Sequence, residues 1–317
     1  MKYVICCCLF FFSVDVLCQD NAPLLIYTNA SSGVQVKYDG ITERFSTSDR
    51  LPLYGKLVLA KGEKANILYK EKKQKLEGPK TYQLDKLCAE MAKAEKKGFF
   101  GKFWAYLSNS VGNGSDSEEL KKYDKVYSSS KAATKAYGEE TGIFAPTYLT
   151  DIFGEEIVHF KWNSGTAYDW YHFTIYEEES DNFLADLQLN APSCVVDLST
   201  LNFEDGYLYY WQVTGYSEKD TTKMEPIGFY FDPVEIQSFK EKILQSAQVQ
   251  ELNPEELELY TLYELEDEYF LHQAYQGYAN LIQAHPANAL YKKLFAAYLV
   301  RMNALSEGLL QLEQIDP

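Results

Sequence analysis

The chain has 317 residues and 46% of them are hydrophobic, so there is ample apolar material for packed cores and disorder is excluded for most of the length. This length fits two or three domains. There are 30 Lys and Arg against 46 Asp and Glu, and this net charge of −16 disfavours a nucleic-acid partner because phosphate backbones repel an acidic protein.

The N-terminus has the pattern of an export signal. Lys2 precedes the apolar run Val4–Phe12, and polar residues follow Cys18. A charged start, a short apolar segment and then polar chain predict a signal peptide over residues 1–18. The run is too short to span a bilayer, which needs roughly 20 apolar residues, and no later run approaches that length. We therefore expect an exported protein, with a lipid anchor on Cys18 as the alternative.

Two cysteines remain after residue 18, Cys88 in a helical pattern and Cys194 in a strand pattern. We expect two separate thiols, and one disulfide is the alternative. The four histidines show no pair at the i, i+4 spacing of a helical metal site. No metal and no cofactor are predicted.

Charge divides the chain into two halves. Residues 19–150 hold 21 basic and 16 acidic side chains, a net charge of +5. Residues 151–317 hold 8 basic and 29 acidic side chains, a net charge of −21. We interpret this asymmetry as surface solvation of separate modules; the alternative is that the halves attract each other or face different partners.

Residues 19–108 are predicted to form a small β module with a trailing helix. Short alternating segments are separated by turn signals at Asp39-Gly40 and Gly78-Pro79. Residues 51–84 resemble the FecR-like β modules of secreted bacterial proteins, and the segments that carry this likeness are Leu57-Val58-Leu59-Ala60-Lys61-Gly62, Ile67-Leu68-Tyr69 and Leu76-Glu77-Gly78-Pro79-Lys80-Thr81-Tyr82. The resemblance implies the fold of that module and not its signalling role.

An aromatic patch and a polar segment follow the β module. Phe99-Phe100 and Phe103-Trp104-Tyr106 are expected to pack beneath the β module. Residues 109–142 are rich in Gly, Ser and Asn and carry several lysines, which predicts a solvated linker. A polyanion-binding segment is the alternative.

Residues 143–232 alternate apolar and polar side chains between regular turn signals, which is typical of a β-sandwich. The predicted inward-facing sets are Phe160 and Trp162; Tyr171, Phe173 and Ile175; Tyr209, Trp211 and Val213. This pattern resembles fibronectin type III and related Ig-like sandwiches, a likeness that implies fold and no chemistry. His159 and His172 fall on the opposite alternation, so we expect them at the surface.

Residues 233–317 are predicted to be helical. Asp232 is the expected N-cap and Pro233 lies in the first turn. The small and apolar residues Ala274, Tyr278 and Leu281, followed by Pro286, resemble the second helix of a tetratricopeptide repeat, whose period is about 34 residues. Gly308 falls one period after Ala274. The resemblance implies about two helical hairpins, which would dock on the sandwich or on a partner, and an ordinary helical hairpin is the alternative.

The predicted architecture is therefore multi-domain α+β: a small β module, an Ig/fibronectin-like sandwich and tetratricopeptide-like helical hairpins. The sequence has no catalytic motif of the nucleophile-elbow, metalloprotease, phosphate-loop or dinucleotide-binding kinds. With these resemblances, we predict a non-catalytic binding or scaffolding protein of the bacterial cell envelope, periplasmic, on the outer surface or secreted, which contacts a protein partner through its C-terminal helices. A hydrolase of envelope polymers and an envelope-sensing regulator are the alternatives. The predicted contact residues, chosen as amphipathic anchors, are Tyr260, Tyr263, Tyr269, Tyr275 and Tyr278.

Overall fold

The computed structural model describes residues 22–93, 100–111, 142–177, 182–204 and 206–313. The predicted signal peptide and residues 112–141 of the predicted linker lie outside these ranges. The chain forms two compact units, residues 1–94 and 95–317. Sheets occupy the N-terminal and central parts and helices the C-terminal part, so the chain is a mixed α+β protein.

The first unit contains two antiparallel sheets, one with the strand order β1-β5-β6 and one with the order β3-β2-β4-β7. Its elements are β1 (Leu24–Thr28), β2 (Val34–Tyr38), β3 (Ile41–Phe45), β4 (Lys56–Leu59), β5 (Lys64–Tyr69), β6 (Lys72–Glu77), β7 (Lys80–Gln83) and α1 (Leu84–Lys93). Alternate residues such as Val34 and Val36 are fully buried in a shared core. The predicted turn at Asp39-Gly40 is confirmed, since both residues have positive φ (48° and 75°) and join β2 to β3, a strand that the sequence pattern missed.

The central part of the second unit is built from β8 (Ile143–Phe144), β9 (Asp151–Phe153), β10 (Ile157–Lys161), β11 (Asn163–Ser164), β12 (Trp170–Glu177), β13 (Phe183–Leu189), β14 (Ser193–Asp197), β15 (Tyr209–Tyr216), β16 (Thr221–Lys223) and β17 (Ile227–Phe231). The main sheet has the order β13-β12-β15-β17-β9, with β16 beside β15, and β9 pairs parallel to β17. The strands β10 and β14 form a separate antiparallel pair.

The predicted inward-facing residues of this part are all buried. Phe160 of β10 lies 5.0 Å from Phe173 of β12 and 5.1 Å from Trp211 of β15 between ring centroids, so the two sheets pack face to face. Trp162 and Tyr209 are 3% and 0% exposed. The Trp211 indole N–H donates to the carbonyl oxygen of Leu149 at 3.0 Å and thereby satisfies a buried donor.

The expectation that the aromatic patch packs beneath the β module is wrong for its described residues, Phe100, Phe103, Trp104 and Tyr106, while Phe99 lies outside the described ranges. Its helix α2 (Gly101–Val111) belongs to the second unit. The Phe103 ring lies 5.3 Å from Tyr260 and 5.7 Å from Tyr263 between centroids, and Phe100 lies 5.0 Å from Tyr260. The patch therefore packs against a C-terminal helix that begins about 150 residues later in the chain.

The remaining helices are α3 (Pro233–Gln245), α4 (Pro254–Asp267), α5 (Leu271–Ala284), α6 (Ala289–Arg301) and α7 (Leu305–Glu313). The predicted N-cap is confirmed, because the Asp232 carboxylate accepts from the Glu235 backbone N–H at 2.8 Å. Asn253 and Glu256 form a capping box at the start of α4. Among the helices of the described ranges, none combines the length and apolar character that crossing a bilayer requires.

The two helical hairpins α4–α5 and α6–α7 have the same turn. In each, a Schellman motif ends the first helix, with a left-handed residue at Tyr269 (φ 64°) and at Asn303 (φ 58°). Between α4 and α5, a Cβ at Gly277 would lie 2.1 Å from a methyl group of Leu262, so this glycine lets the helices approach. Ala274 is fully buried, and Pro286 is exposed just after the end of α5.

Candidate functional site

An open cleft of about 690 Å³ lies in the second unit, between the α4–α5 turn, helix α2 and the sandwich strands β9 and β17. We call it the tyrosine cleft. Its aromatic lining residues are Tyr106, Tyr263 and Tyr269, and its acidic lining residues are Asp151, Glu266 and Asp267. Two threonines, Gly228 and several apolar side chains complete the lining. The volume is within the usual range for small-ligand and side-chain pockets.

A buried ion pair forms the floor of the cleft. Arg301 donates from Nε to Glu266 Oε1 at 2.7 Å and from Nη2 to Glu266 Oε2 at 2.9 Å. The two side chains are 15% and 12% exposed, so the pair is mostly withdrawn from water. This bidentate geometry compensates both charges and fixes the end of α6 against the end of α4.

Tyrosine hydroxyls extend this floor. Tyr106 accepts from Arg301 Nη2 at 2.8 Å, donates to Glu266 Oε2 at 2.8 Å and lies 2.6 Å from the Tyr278 hydroxyl. Burial raises the pKa of Tyr106 well above its ordinary value, although the nearby Arg301 lowers it in part. Burial also raises the pKa of Tyr278. The hydroxyl groups of Tyr106 and Tyr278 therefore stay protonated at neutral pH and act as hydrogen-bonding groups.

The rim of the cleft carries the exposed groups. Tyr269 is 69% exposed, and Asp267 and Asp151 are also exposed. The Asp151 carboxylate accepts from the Thr150 hydroxyl at 3.1 Å. Within the described ranges, neither Asp151 nor Asp267 forms a salt bridge.

Two polar clusters attach the helices to the sandwich, so the hairpins dock on their own sandwich, one of the two arrangements we expected. Lys161 of β10 pairs with Glu307 of α7, and its ammonium lies 5.4 Å and 5.3 Å from the Tyr148 and Tyr275 ring centroids. Those two rings stack at 4.2 Å. These contacts are cation–π and aromatic pairs at the joint between the helices and the sandwich within the second unit.

The second cluster surrounds His272, which is 1% exposed. Its Nδ1 lies 3.0 Å from Glu155 Oε2, and the same oxygen accepts from Gln273 Nε2 at 3.0 Å. Burial is the largest single effect and raises the pKa of Glu155, but the hydrogen bond and electrostatic interaction with His272, the charge of Lys240 and a backbone hydrogen bond together lower it, so the net shift is downward. The carboxylate is thus held in its charged form at the joint.

The five tyrosines predicted as surface anchors have different positions. Tyr260, Tyr263 and Tyr278 are 5%, 9% and 1% exposed, so their rings lie mostly in the core and not at the surface as expected, although Tyr263 also lines the cleft. That any of the five contacts a partner stays a prediction. They pack against α2 and against α6, elements that the sequence pattern did not bring to them. Tyr275 is half-buried at the joint, and Tyr269 alone of the five is exposed.

The cleft residues that sequence reasoning missed are Tyr106, Asp151, Asp267 and the Arg301 beneath them. One signal was available: Tyr269 stands one repeat period before Asn303, at a turn where Gly or Asn is usual. No sequence signal pointed to Asp151 and Asp267, because they are far apart in the chain and lie among many other carboxylates.

The cysteines and histidines are separate from the cleft. Cys88 lies on α1 and Cys194 on β14, and both are free thiols, which confirms the expectation of separate thiols. Burial raises their pKa values to about 11 and about 12. His159 is exposed as predicted, and His172, half-buried, pairs with Asp186 at 2.7 Å. In the part of the chain that the structure describes, no three His, Cys, Asp or Glu side chains are grouped as metal ligands.

No protein-family model and no curated protein matches the chain. A solved structure described as "Myokine structure" is 16% identical, with a TM-score of 0.21, and the match covers 27% of this chain and 94% of that one. The fn3 domain of human collagen alpha-1(XX) is 16% identical, with a TM-score of 0.22 and coverage of 31% and 92%. A beta-1,2-glucanase from Parabacteroides distasonis is 8% identical, with a TM-score of 0.23 and coverage of 57% and 35%. Similarities this low assign neither an architecture nor a function to the chain.

Proposed function

We propose that this chain is an exported, non-catalytic binding protein of the bacterial cell envelope, which engages a protein partner at the turn end of its C-terminal helices. The observation that carries the proposal is the tyrosine cleft, where Tyr269 is 69% exposed and where the lining residues Asp151 and Asp267 form no salt bridge within the described ranges. Large exposed aromatic side chains at the edge of a cleft are typical of recognition surfaces.

The arrangement of the cleft supports binding rather than bond cleavage. Glu266, the most buried acid in the lining, is compensated by Arg301 and therefore is not placed as a general acid or base. Cys88 and Cys194 have raised pKa values, which disfavours a thiolate nucleophile at neutral pH.

The finer fold assignments are part of the same proposal. An Ig/fibronectin-like sandwich is supported by the Tyr209 hydroxyl, which accepts from the Glu204 backbone N–H at 2.6 Å, just before the strand β15 that Tyr209 begins. This contact has the form of the tyrosine corner of Ig-like sandwiches. The FecR-like likeness of the first unit rests on its strand sequence alone.

Tetratricopeptide-like hairpins are supported by the repeated geometry of the helices. Helices α5 and α7 begin 34 residues apart, at Leu271 and Leu305. The left-handed turn residues Tyr269 and Asn303 are also 34 residues apart. A Cβ at Gly308 would lie 3.0 Å from the Ala296 carbonyl oxygen, so a small residue is needed where the second hairpin closes.

A site-specific cross-linking experiment tests the proposal. The full chain, with a photo-reactive benzoylphenylalanine at position 269, is irradiated in envelope extract of the source bacterium and the adducts are identified. The matched control carries the same group at Tyr207, which is 57% exposed on the sandwich. We expect a discrete protein adduct from position 269 only. Equal adducts from both positions, no adduct, or turnover of envelope polymers by the purified chain would contradict the proposal.

A further inference from the structure

The tyrosine cleft has an unbalanced charge. Its three acidic lining residues face no basic lining residue in the described part of the chain. Arg301, beneath the floor, donates to Glu266, Tyr106 and Ser110, so its positive charge is already compensated. The carboxylates of Asp151 and Asp267 therefore give the cleft a net negative charge that a bound group would meet.

Tyr269 is a residue type that the backbone conformation of its turn disfavours. It occupies the left-handed position of a Schellman motif, where glycine avoids the steric cost of a Cβ and asparagine is the usual substitute. The equivalent position of the next hairpin has Asn303, which follows this rule. In the described ranges, no hydrogen bond, ion pair or ring contact holds the Tyr269 side chain. Within the described ranges, no polar or ring contact offsets the steric cost of the Tyr269 side chain at this position, which favours a binding role for the ring.

An exposed tyrosine ring beside carboxylates is suited to a cation. The ring face attracts an ammonium or guanidinium group through its quadrupole, and the carboxylates add charge–charge attraction. Residues 151–317 have a net charge of −21, which steers a basic partner toward this part of the chain.

We propose that the tyrosine cleft binds the lysine or arginine side chains of a basic peptide segment of the partner. This inference rests on the proposed binding function and specifies its chemistry. Asp267 and Asp151 receive the cationic head, while the Tyr269 ring covers the head or its alkyl stem. The cleft volume of about 690 Å³ is large enough for more than one such side chain.

Binding of defined peptides to the full chain tests this inference by fluorescence anisotropy. The probe is a labelled peptide with two lysines between Gly and Ser residues, compared with its lysine-acetylated form and with an arginine form. Free spermidine is added as a competitor to distinguish a peptide cation from a small polyamine. We expect the lysine and arginine peptides to bind, the acetylated peptide to bind at least about ten-fold more weakly, and affinity to fall with salt. Stronger binding of spermidine than of either peptide would overturn the peptide assignment.

Two variants locate the binding in the cleft. Tyr269→Gly removes the ring and relieves the turn, so we expect binding about five- to thirty-fold weaker, with an unchanged or higher urea midpoint. Asp267→Asn should also weaken binding several-fold. The matched controls are Tyr207→Ala, which removes an exposed ring elsewhere, and Glu258→Gln, which removes the same charge from an exposed position of α4. The controls should bind within about two-fold of the wild type.

Three results would overturn the inference: equal binding of the acetylated peptide, wild-type binding by Tyr269→Gly, or equal losses in the controls. Because Tyr269→Gly is not expected to destabilise the turn, misfolding does not explain a loss. A cross-link from position 269 without binding of basic peptides would refute the cationic chemistry and leave the proposed function standing. Binding of basic peptides without any cross-link from position 269 would support the cationic chemistry of the cleft and contradict the proposed protein partner.

Discussion

Replacement of Glu266 by glutamine tests whether the buried ion pair holds the second unit together. The substitution keeps the shape of the side chain and removes its charge, so the Arg301 guanidinium is left uncompensated. Both side chains are at most 15% exposed, and water therefore restores little of the lost interaction. Removing one partner of a buried pair typically costs about 3–5 kcal/mol, and because the amide oxygen still accepts one hydrogen bond we expect about 3 kcal/mol.

The assay is urea unfolding followed by tryptophan fluorescence. All four tryptophans of the chain belong to the second unit, so the signal reports that unit alone. With a urea dependence of about 2 kcal/mol per molar, the Glu266→Gln midpoint should fall by about 1.5 M. Glu268→Gln, with the same charge change at an exposed neighbouring residue, should change the free energy of unfolding by less than about 0.5 kcal/mol.

A double variant completes the test of the ion pair. Glu266→Met combined with Arg301→Met removes both charges. We expect the double variant to lose clearly less free energy of unfolding than the summed losses of Glu266→Met alone and Arg301→Met alone. A loss below about 1 kcal/mol in Glu266→Gln, or strict additivity in the double variant, would refute the reasoning.

Three further predictions concern other contacts of the second unit and the thiols. Trp211→Phe leaves the buried Leu149 carbonyl without its donor, so urea unfolding should show a loss of about 1–3 kcal/mol. Tyr207→Ala, which changes an exposed aromatic side chain, is the reference and should change the free energy of unfolding by less than about 0.5 kcal/mol. The lowered pKa of Glu155 stabilises the fold above its unfolded value of 4.5, and this contribution is lost as the pH falls through the lower folded value. Wild-type chain should therefore lose more stability between about pH 5.5 and about pH 3.5 than Glu155→Gln does, and equal losses would contradict the shift. The pKa values of about 11 and about 12 for Cys88 and Cys194 predict slow alkylation at neutral pH, and labelling as fast as that of free cysteine would contradict them.

The sequence predicts the sandwich core well because burial there follows a local rule. Side chains alternate between the two faces of a strand, so Phe160 and Trp162, or Tyr209 and Trp211, are recognised as inward pairs without knowledge of their partners. Short segments escape this rule. Strand β9 has only three residues, too few for an alternation to be detected, and its position depends on parallel pairing with β17.

The site is harder to predict because it depends on contacts between distant residues. Tyr260 and Tyr263 share a face of α4 by their spacing, but the sequence does not show that α2 covers that face. Asp151 and Asp267 meet at one cleft only through the docking of the helices on the sandwich. The conformation of Tyr269 follows from its place in a helix-ending turn, and its spacing of one repeat period from Asn303 is the sequence signal that could have located this turn.

The position of α2 has a consequence for biosynthesis. Tyr106 bonds with Glu266, which lies 160 residues later, and Arg301 completes the same cluster. During translation, the aromatic face of α2 emerges long before the helices that cover it, so it has no native partner until the ribosome has added almost the entire remainder of the chain. A nascent chain that stalls before Tyr260 would leave Phe103 without its aromatic partners and open to chaperones and proteases, so synthesis of the C-terminal helices is the step that covers this face.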